Sequence, residues 1–244
     1  VDGGSELSGQ ELAEFGRGEL ARFLDDLGEE VDAVAITGVF SPVAPDHELA
    51  AEEVVGEVLG DIPVSLSHGI GALGLLEREN ACVLNAALLG VANRIVNGLT
   101  QALVAQGIEA QVFIAQNDGT LMGLDYVLRN PVLTIGSGPA NSMRGAAFLT
   151  GVTDALVVDV GGTSTDVGVM SRGYPRESSA PVDIGGVRTN FRMPDLVSVA
   201  LGGGTIVRRG GDGLAVGPTS VGYRIGEEAI VFGGSTTTLT DAAV

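Results

Sequence analysis

The chain has 244 residues, of which 45% are hydrophobic and 18% charged, a composition typical of a folded globular protein. Its formal net charge of -18 argues against nucleic acid and anionic membranes as partners. All 13 residues of the Lys and Arg class are arginine. This segment therefore offers neither a Schiff-base lysine nor the lysine of a Walker-type phosphate loop.

The few cysteine and histidine residues limit the chemistry further. The one cysteine, Cys82, excludes an internal disulfide, fits a reducing compartment and lies in an apolar run that indicates a buried packing thiol. His47 and His68 are too few and too far apart for a histidine-based metal site. The most apolar stretch, 81–106, is interrupted by asparagine, arginine and glutamine, so we expect a soluble, cytoplasmic protein.

The first part of the chain alternates predicted helices and strands. Ser8-Gly9-Gln10-Glu11 has the pattern of a capping box and predicts a helix over 8–27. The elements that follow are a strand over 32–38, a helix over 45–59, a strand over 62–67, a long helix over 80–106, a strand over 111–115, a short helix over 121–128, a strand over 132–135 and a helix over 139–150. This alternation predicts a largely parallel α/β sheet.

The pattern changes near residue 154. Two apolar strands, over 155–160 and 165–170, are joined by a tight glycine turn, and the chain beyond them is rich in glycine and β-structure to about residue 232, with a helix near 240. We therefore expect a first lobe over 1–152 and a second over 153–244.

The turn between these two strands is the strongest candidate site, Asp159-Val160-Gly161-Gly162-Thr163-Ser164-Thr165-Asp166. Consecutive glycines let backbone N–H groups converge on an anion, and the hydroxyl groups add donors. Asp159 and Asp166 can hold Mg²⁺, which prefers one or two carboxylates together with substrate phosphates. A plain hairpin turn needs neither the two acids nor so many hydroxyl groups.

This motif resembles the phosphate-binding hairpin of the actin-like ATPase superfamily. Over roughly residues 30–244, five further segments resemble, in matching order, the hydantoinase A/oxoprolinase family. These are Pro45-Asp46-His47-Glu48, Val64-Ser65-Leu66-Ser67-His68, Gln116-Asn117-Asp118-Gly119, Gly136-Ser137-Gly138-Pro139-Ala140 and Val199-Ala200-Leu201-Gly202-Gly203-Gly204-Thr205-Ile206.

The resemblance implies an α/β, actin-like ATPase (ribonuclease H-like) fold, here part of two lobes with mixed sheets and flanking helices. It implies an ATP-dependent hydrolase subunit that opens a cyclic amide such as hydantoin or oxoproline after phosphorylation of the carbonyl oxygen. ATP, Mg²⁺ or another divalent metal, a small-molecule substrate and a B-type hydantoinase subunit would be its cofactors and partners. A carboxylase subunit, a small-metabolite kinase and a nucleotide-binding module without turnover are the alternatives.

The same resemblance suggests roles for particular residues. Gly161, Gly162 and Thr163, with Ser164 and Thr165, would hold the β- and γ-phosphates, while Asp159 and Asp166 would manage metal and water. The triplet Gly202, Gly203 and Gly204 would lie against the adenosine. Gly138 opens either an anion-binding helix or an ordinary turn, and Asp118 is either a metal or substrate group or part of a common Asn-Asp-Gly turn.

The sequence gives weaker indications for four further residues. Arg144 and His47 are interpreted as surface residues, Asp195 as a weak candidate for the cleft, and His68 is undecided. A first Asp-x-Gly-Gly-Thr hairpin, which the family carries near its N-terminus, is absent, so we expect an internal fragment. The apolar helix over 80–106 leaves a homo-oligomer open.

Overall fold

The computed structural model describes residues 1–27, 31–211 and 213–244. They form two units, of which unit 1 is Val1–Gly138 with Ser178–Met193, and unit 2 is Pro139–Glu177 with Pro194–Val244. The predicted boundary between 152 and 153 falls inside unit 2, so the units and the predicted lobes divide the chain differently. The lobes stay a prediction.

The α-helices of the described residues are α1 Arg17–Asp25, α2 Asp46–Leu59, α3 Leu75–Ala105, α4 Leu124–Arg129, α5 Ser137–Thr150, α6 Ile225–Glu228 and α7 Leu239–Ala243. The strands are β1 Gly4–Ser5, β2 Glu11–Ala13, β3 Val34–Ile36, β4 Val64–Leu66, β5 Phe113–Ala115, β6 Leu121–Gly123, β7 Ala155–Val160, β8 Thr165–Ser171, β9 Tyr174–Pro175, β10 Val182–Ile184, β11 Val187–Thr189, β12 Leu196–Val199, β13 Thr205–Gly210 and β14 Gly213–Ser220. Short 3-10 helices span Ser67–Gly69, Pro131–Thr134, Gly222–Arg224 and Ile230–Phe232.

Unit 1 is built around the parallel pair β3 and β4. Helix α2 begins after Pro45 and carries acidic residues in its first turn, where the helix dipole favours them. It is followed by Gly60, which has a φ of 77°, a value that residues with a side chain rarely adopt. Its Val54 and Val55 are buried with Leu24 of α1 against the apolar side chains of β3 and β4. This packing fixes the carboxyl ends of β3 and β4 beside the first turn of α2.

The long helix α3 packs on β3, β4, β11 and the 3-10 helix Pro131–Thr134. Its Ala81 and Cys82 are fully buried with Val132 and Phe191. Burial raises the pKa of the Cys82 thiol, which confirms the predicted buried packing role. By length and apolar composition alone this helix of 31 residues could cross a membrane, although core helices of soluble proteins pass the same test.

Unit 2 contains an antiparallel sheet with the order β12-β8-β7, and β9 pairs with the end of β8. Gly168 of β8 faces Met143 of α5, since a β-carbon built on Gly168 would lie 2.7 Å from the Met143 Sδ. Met143 of helix α5 therefore packs against this sheet at Gly168. A second antiparallel ribbon, β13 with β14, follows.

Some predicted elements are confirmed and others are wrong. The strand over 155–160, the helix over 45–59 and the long helix agree with β7, α2 and α3 within a few residues. The sheet prediction fails, because β3 with β4 is the one parallel pair among the strands of the described residues. The segment over 121–128 divides at Gly123 into β6 and α4.

Two of the errors have clear physical causes. The predicted helix over 8–27 is confined to α1, because Gly9 has a φ of 83° and closes a turn that pairs β2 with β1. The predicted strand over 132–135 is part of a 3-10 helix. Pro131 starts it, the Asn85 side chain accepts from the Val132 N–H (3.1 Å), and the Asn117 side chain donates to the Val132 carbonyl (3.3 Å).

Candidate functional site

The predicted phosphate-binding turn lies between β7 and β8 in unit 2. The Gly161 N–H donates to the Ser164 carbonyl across 2.9 Å and closes the turn. Gly162 and Thr163 are exposed residues, and their backbone N–H groups donate no hydrogen bond to another described residue. A β-carbon built on Gly162 meets no atom within 4 Å. The turn thus presents free donors and open space, as an anion-binding turn requires.

The three hydroxyl groups of the turn differ in their availability. The Thr165 hydroxyl donates to the Leu201 carbonyl across 2.6 Å, which ties the turn to the following loop. The hydroxyl groups of Thr163 and Ser164 make no hydrogen bond within the described residues. Thr163 and Ser164 are therefore the better candidates for donation to a ligand.

The glycine triplet lies directly against this turn. The Gly203 N–H donates to the Gly161 carbonyl at 2.9 Å, and the Gly204 N–H donates to the Gly162 carbonyl at 2.7 Å. The Gly203 carbonyl in turn accepts from the backbone N–H of Thr240, at the start of α7, at 2.9 Å. The structure thus joins two motifs that the sequence places about forty residues apart.

The triplet needs glycine because the backbones are so close. A β-carbon on Gly202 would lie 2.7 Å from the Gly161 carbonyl oxygen, and one on Gly204 would lie 3.0 Å from the Gly162 carbonyl oxygen. The family resemblance implies that adenosine lies against these glycines. The structure supplies a separate reason for them, which is contact with the turn itself.

Asp159 and Asp166 stand directly opposite each other on β7 and β8. Opposite residues of an antiparallel pair point to the same face, and two like charges there are unfavourable without a cation or a proton. Asp166 also accepts a hydrogen bond from the Ser198 hydroxyl of β12, whereas the Asp159 carboxylate makes none in the described residues. The pair fits a hard divalent cation that also binds phosphate oxygens.

No group of three or more His, Cys, Asp or Glu residues that could hold a metal ion occurs in the described part of the chain. A cation at Asp159 and Asp166 would therefore take its remaining ligands from water and phosphate, as Mg²⁺ usually does.

Asp118 and Gly138 lie in or at the edge of unit 1. Asp118 follows β5 in the β5–β6 turn, where its Oδ1 accepts from the backbone N–H of Thr120 (2.9 Å) and from the Thr120 hydroxyl (2.6 Å). The turn predicted as the alternative is present, and the other carboxylate oxygen of Asp118 lies 3.6 Å from a guanidinium nitrogen of Arg192. Both residues border a cavity of about 450 Å³ together with Gly69 and Tyr126. Gly138 lies in the first turn of α5, and a β-carbon there would meet no atom within 4 Å.

The sequence reasoning missed a buried polar network around Glu48, in the first turn of α2. This carboxylate is 1% exposed, and it accepts hydrogen bonds from the Gly38 N–H at 2.9 Å, from the His68 N–H at 3.0 Å and from the Ser67 hydroxyl. His68 Nδ1 lies 2.7 Å from its Oε2. The fully buried Arg78 donates from Nε to the Ser67 hydroxyl oxygen at 3.0 Å.

This network decides the protonation state of Glu48. Burial alone would raise the pKa of its carboxyl, but hydrogen bonds from Ser41, Ser67 and the backbone N–H groups of His68 and Gly38 hold this pKa below its usual range. Glu48 is therefore charged and fixes the ring orientation of His68. The sequence contains one signal of this network, the resemblance of two segments to the family. These segments are Pro45-Asp46-His47-Glu48 and Val64-Ser65-Leu66-Ser67-His68.

The remaining candidates have structural partners. Arg144 donates to the Gly173 carbonyl and lies 3.9 Å above the Tyr174 ring, and the Arg176 Nε donates to Asp195 at 2.9 Å. His47 lies 2.9 Å from a carboxylate oxygen of Glu11 and stacks on Phe15 at 5.8 Å. These contacts account for the three side chains without a ligand.

Two models of known protein families match the chain. A family model described as hydantoinase/oxoprolinase matches residues 78–244, which is more than half of the chain. The chain belongs to the hydantoinase/oxoprolinase family. The model of the N-terminal region of this family matches residues 1–59, so the similarity reaches further towards the N-terminus than the sequence motifs indicated.

Two relatives are similar to most of the chain. The acetophenone carboxylase gamma subunit of Aromatoleum aromaticum is 30% identical over 235 residues, which is 91% of this chain and 31% of that protein. The caprolactamase subunit alpha of Pseudomonas jessenii is 30% identical over 219 residues, which is 88% of this chain and 31% of that protein. The chain thus spans about a third of these relatives.

The crystal structure of the ATP-dependent caprolactamase from Pseudomonas jessenii matches with a TM-score of 0.77 and 27% identity, over 99% of this chain and 36% of the other. This match confirms the predicted α/β, actin-like fold class. It leaves the roles of individual site residues as predictions.

Two matched substitutions test the contact between the triplet and the turn. Gly202→Ala should lower the free energy of unfolding by about 2 kcal/mol, because the added methyl group meets backbone atoms. Gly162→Ala should change it by less than about 0.5 kcal/mol, because its methyl group enters open space. Urea denaturation measures both. Equal effects of the two substitutions would contradict the described packing.

A second test concerns Glu48. Glu48→Gln should lower the free energy of unfolding at pH 7 by about 3 kcal/mol, because it leaves a buried network without its charge. The folded pKa of Glu48 is lowered, so its contribution is present above the ordinary glutamate value of about 4.3 and is lost as pH falls through the folded pKa.

The difference between wild type and Glu48→Gln should therefore shrink as the pH of the denaturation experiment is lowered from neutral to below that value. The exposed Glu52 on the same helix provides the control, since Glu52→Gln should cost less than about 0.5 kcal/mol. A difference that stays constant with pH would show that the Glu48 charge does not act as described.

Proposed function

We propose that this chain is part of an ATP-dependent hydrolase subunit that opens a cyclic amide after phosphorylation of its carbonyl oxygen. The observation that supports this proposal is the contact between turn and triplet in unit 2, with the free N–H groups of Gly162 and Thr163 beside the facing carboxylates of Asp159 and Asp166. The similarity to a caprolactamase subunit supports a cyclic amide as the substrate. The similarity to a carboxylase subunit supports a second candidate function.

The reaction has a specific chemical difficulty. Nitrogen donates electron density into the carbonyl group of an amide, which makes the carbon a poor electrophile. Transfer of the γ-phosphoryl group to the carbonyl oxygen breaks the bond from the γ-phosphorus to ADP and withdraws that electron density. Water can then add to the carbon, the C–N bond breaks, and hydrolysis releases phosphate.

The residues of the turn would bind and orient the transferring group. The N–H groups of Gly162 and Thr163, with the hydroxyl groups of Thr163 and Ser164, would donate to phosphate oxygens whose charge increases during transfer. A Mg²⁺ ion held by Asp159 and Asp166 would supply charge neutralisation there. Gly203 and Gly204 would hold the turn in shape, and the adenosine would lie along the triplet.

The second candidate function is that of a subunit of an ATP-dependent ketone carboxylase. The two candidates differ in the step after phosphoryl transfer, which is ring opening in one and carboxylation in the other. A ketone also presents a carbonyl oxygen to ATP, so the same turn would serve both reactions. A B-type subunit is the proposed partner for ring opening. The two candidates are separated by their products, because one gives an opened amino acid and the other a carboxylated ketone.

Nucleotide binding is tested by the thermal stability of the chain with and without MgATP. A ligand at 100 times its dissociation constant stabilises the native state by about 2.7 kcal/mol, which raises the melting temperature by several degrees. Asp159→Asn should lose most of this shift. Without nucleotide it should be no less stable than wild type, because it removes one of two facing like charges.

Asp125→Asn is the matched control, because Asp125 is an exposed acid on α4 and carries the same charge change. This variant should keep the full shift. An unchanged shift in Asp159→Asn, or the absence of any shift in wild type, would contradict nucleotide binding at the turn. Product analysis with a lactam, and separately with a ketone and bicarbonate, in the presence of the partner subunit then decides between the two candidates.

A further inference from the structure

The pair Glu48 and His68 in unit 1 takes no part in the reaction proposed for the phosphate-binding turn. It lies where the parallel strands end, since Gly38 follows β3 by two residues and His68 follows β4 by two. Ligands of open α/β sheets gather outside the carboxyl ends of such strands. The contacts of this pair decide which ring nitrogen of His68 carries a proton.

The hydrogen bonds around Glu48 place a proton on Nδ1 of His68. Oε1 of Glu48 accepts from the Gly38 N–H and from the Ser67 hydroxyl. The Ser67 oxygen in turn accepts from Arg78 Nε at 3.0 Å. Oε2 of Glu48 accepts from the His68 N–H at 3.0 Å and lies 2.7 Å from Nδ1. Because the carboxylate is charged and has no proton to give, Nδ1 is the donor in this contact.

A proton on Nδ1 leaves Nε2 of the neutral His68 ring unprotonated. This nitrogen makes no hydrogen bond or ion pair within the described residues. Among them, Asn190 Oδ1 is the one buried side-chain nitrogen or oxygen atom without a partner, so Nε2 is reached by solvent. The His68 side chain is 27% exposed. His68 therefore presents a free proton acceptor at the surface of unit 1.

Arg78 keeps this acceptor in place. It is fully buried and donates to the carbonyl groups of Ala72 (2.9 Å) and Leu73 (3.0 Å) before α3, and of Val39 (2.9 Å) after β3. Its Nε bond to Ser67 connects these loops to the buried acid. Groups that are held in this way need little reorganisation when a reaction begins.

We propose that Glu48 and His68 form a general-base pair, in which Nε2 of His68 takes a proton from water that adds to the carbonyl carbon of a small neutral acyl compound. The O–H bond of the water breaks, its proton goes to Nε2, and the oxygen forms the new bond to carbon. The leaving group departs with the electron pair of its own bond to carbon and then receives the proton from Nε2. Glu48 is the positioning residue, because it fixes the ring and its charge stabilises the imidazolium that forms.

The choice of an acyl compound follows from the chemistry of the pair. Transfer of an acyl group to water gains from a base of this kind, whereas phosphoryl transfer depends mainly on positioning and charge. The formal net charge of -18 favours a neutral compound over an anionic one. This activity goes beyond the proposed function and uses residues of unit 1 alone.

Nitrogen NMR of the chain labelled with 15N in its imidazole rings tests where the proton lies. The second histidine, His47, is the internal control, because its Nε2 rather than its Nδ1 lies 2.9 Å from the Glu11 carboxylate. At about pH 8.5, where histidine rings are neutral, two-bond 1H–15N spectra should show a protonated Nδ1 and an unprotonated Nε2 in His68. The reverse is expected in His47. A protonated Nε2 in His68 would overturn the proposal.

Hydrolysis of p-nitrophenyl acetate by the full chain without nucleotide tests the chemistry. Wild type should release p-nitrophenolate faster than buffer alone, and more slowly in D2O than in H2O, because a proton of water is transferred. His68→Gln should lower the enzyme-dependent rate at least about tenfold. It should keep its melting temperature, because the glutamine amide still donates to Glu48. His47→Gln should retain the wild-type rate.

Three results would each overturn the proposal. These are a wild-type rate no greater than that of buffer, an equal rate in His68→Gln, and an acetyl group trapped on His68, which would make Nε2 a nucleophile. An equal rate in D2O would overturn it as well. Since no step uses nucleotide, such a failure leaves the MgATP shift and the proposed function untouched, whereas a missing MgATP shift refutes the proposed function alone.

Discussion

The candidate site depends on one close contact, in which the backbone of the triplet Gly202, Gly203 and Gly204 lies on the backbone of the turn at Gly161 and Gly162. No side chain fits between them, because a β-carbon on Gly202 would approach the Gly161 carbonyl oxygen to 2.7 Å. The carbonyl groups of the turn are used by the triplet. The N–H groups of Gly162 and Thr163 are thereby left as the free polar groups that a phosphate can bind.

Unit 1 depends on a different constraint, the burial of the Glu48 charge. A carboxylate can be buried only if hydrogen bonds or an opposite charge compensate for its lost hydration. Glu48 receives them from the chain after β3, from Ser67 and His68, and through Ser67 from Arg78. The 3-10 helix Ser67–Gly69 is fixed by this network, and its Gly69 and the following Ile70 border the cavity beside Asp118.

The sequence predicted those parts whose signals are local. The strand over 155–160, the acids at 159 and 166 and the glycines between them are contiguous, so their pairing follows from one hairpin. The contact of the triplet with this hairpin was not predicted, because hydrogen bonds between distant glycines leave no periodic pattern. The burial of Glu48 was missed since an acid in the first turn of a helix is usually solvated.

One of the errors in secondary structure also comes from contacts between distant residues. The segment over 132–135 is apolar enough for a strand, and it becomes part of a 3-10 helix because the distant side chains Asn85 and Asn117 bind the backbone of Val132. The cavity likewise combines Gly69, Asp118 and Arg192 from three separate segments. The ion pair between Asp118 and Arg192 could not be predicted from spacing along the chain.

Binding of nucleotide phosphate to the free N–H groups of the turn is tested most directly by a two-dimensional amide NMR spectrum of the isotopically labelled chain, recorded during titration with MgADP and then MgATP. We expect the largest chemical-shift changes at Gly162, Thr163 and Ser164, with smaller ones at Gly203 and Gly204. Shifts confined to other regions, or an unchanged spectrum at saturating nucleotide, would contradict it.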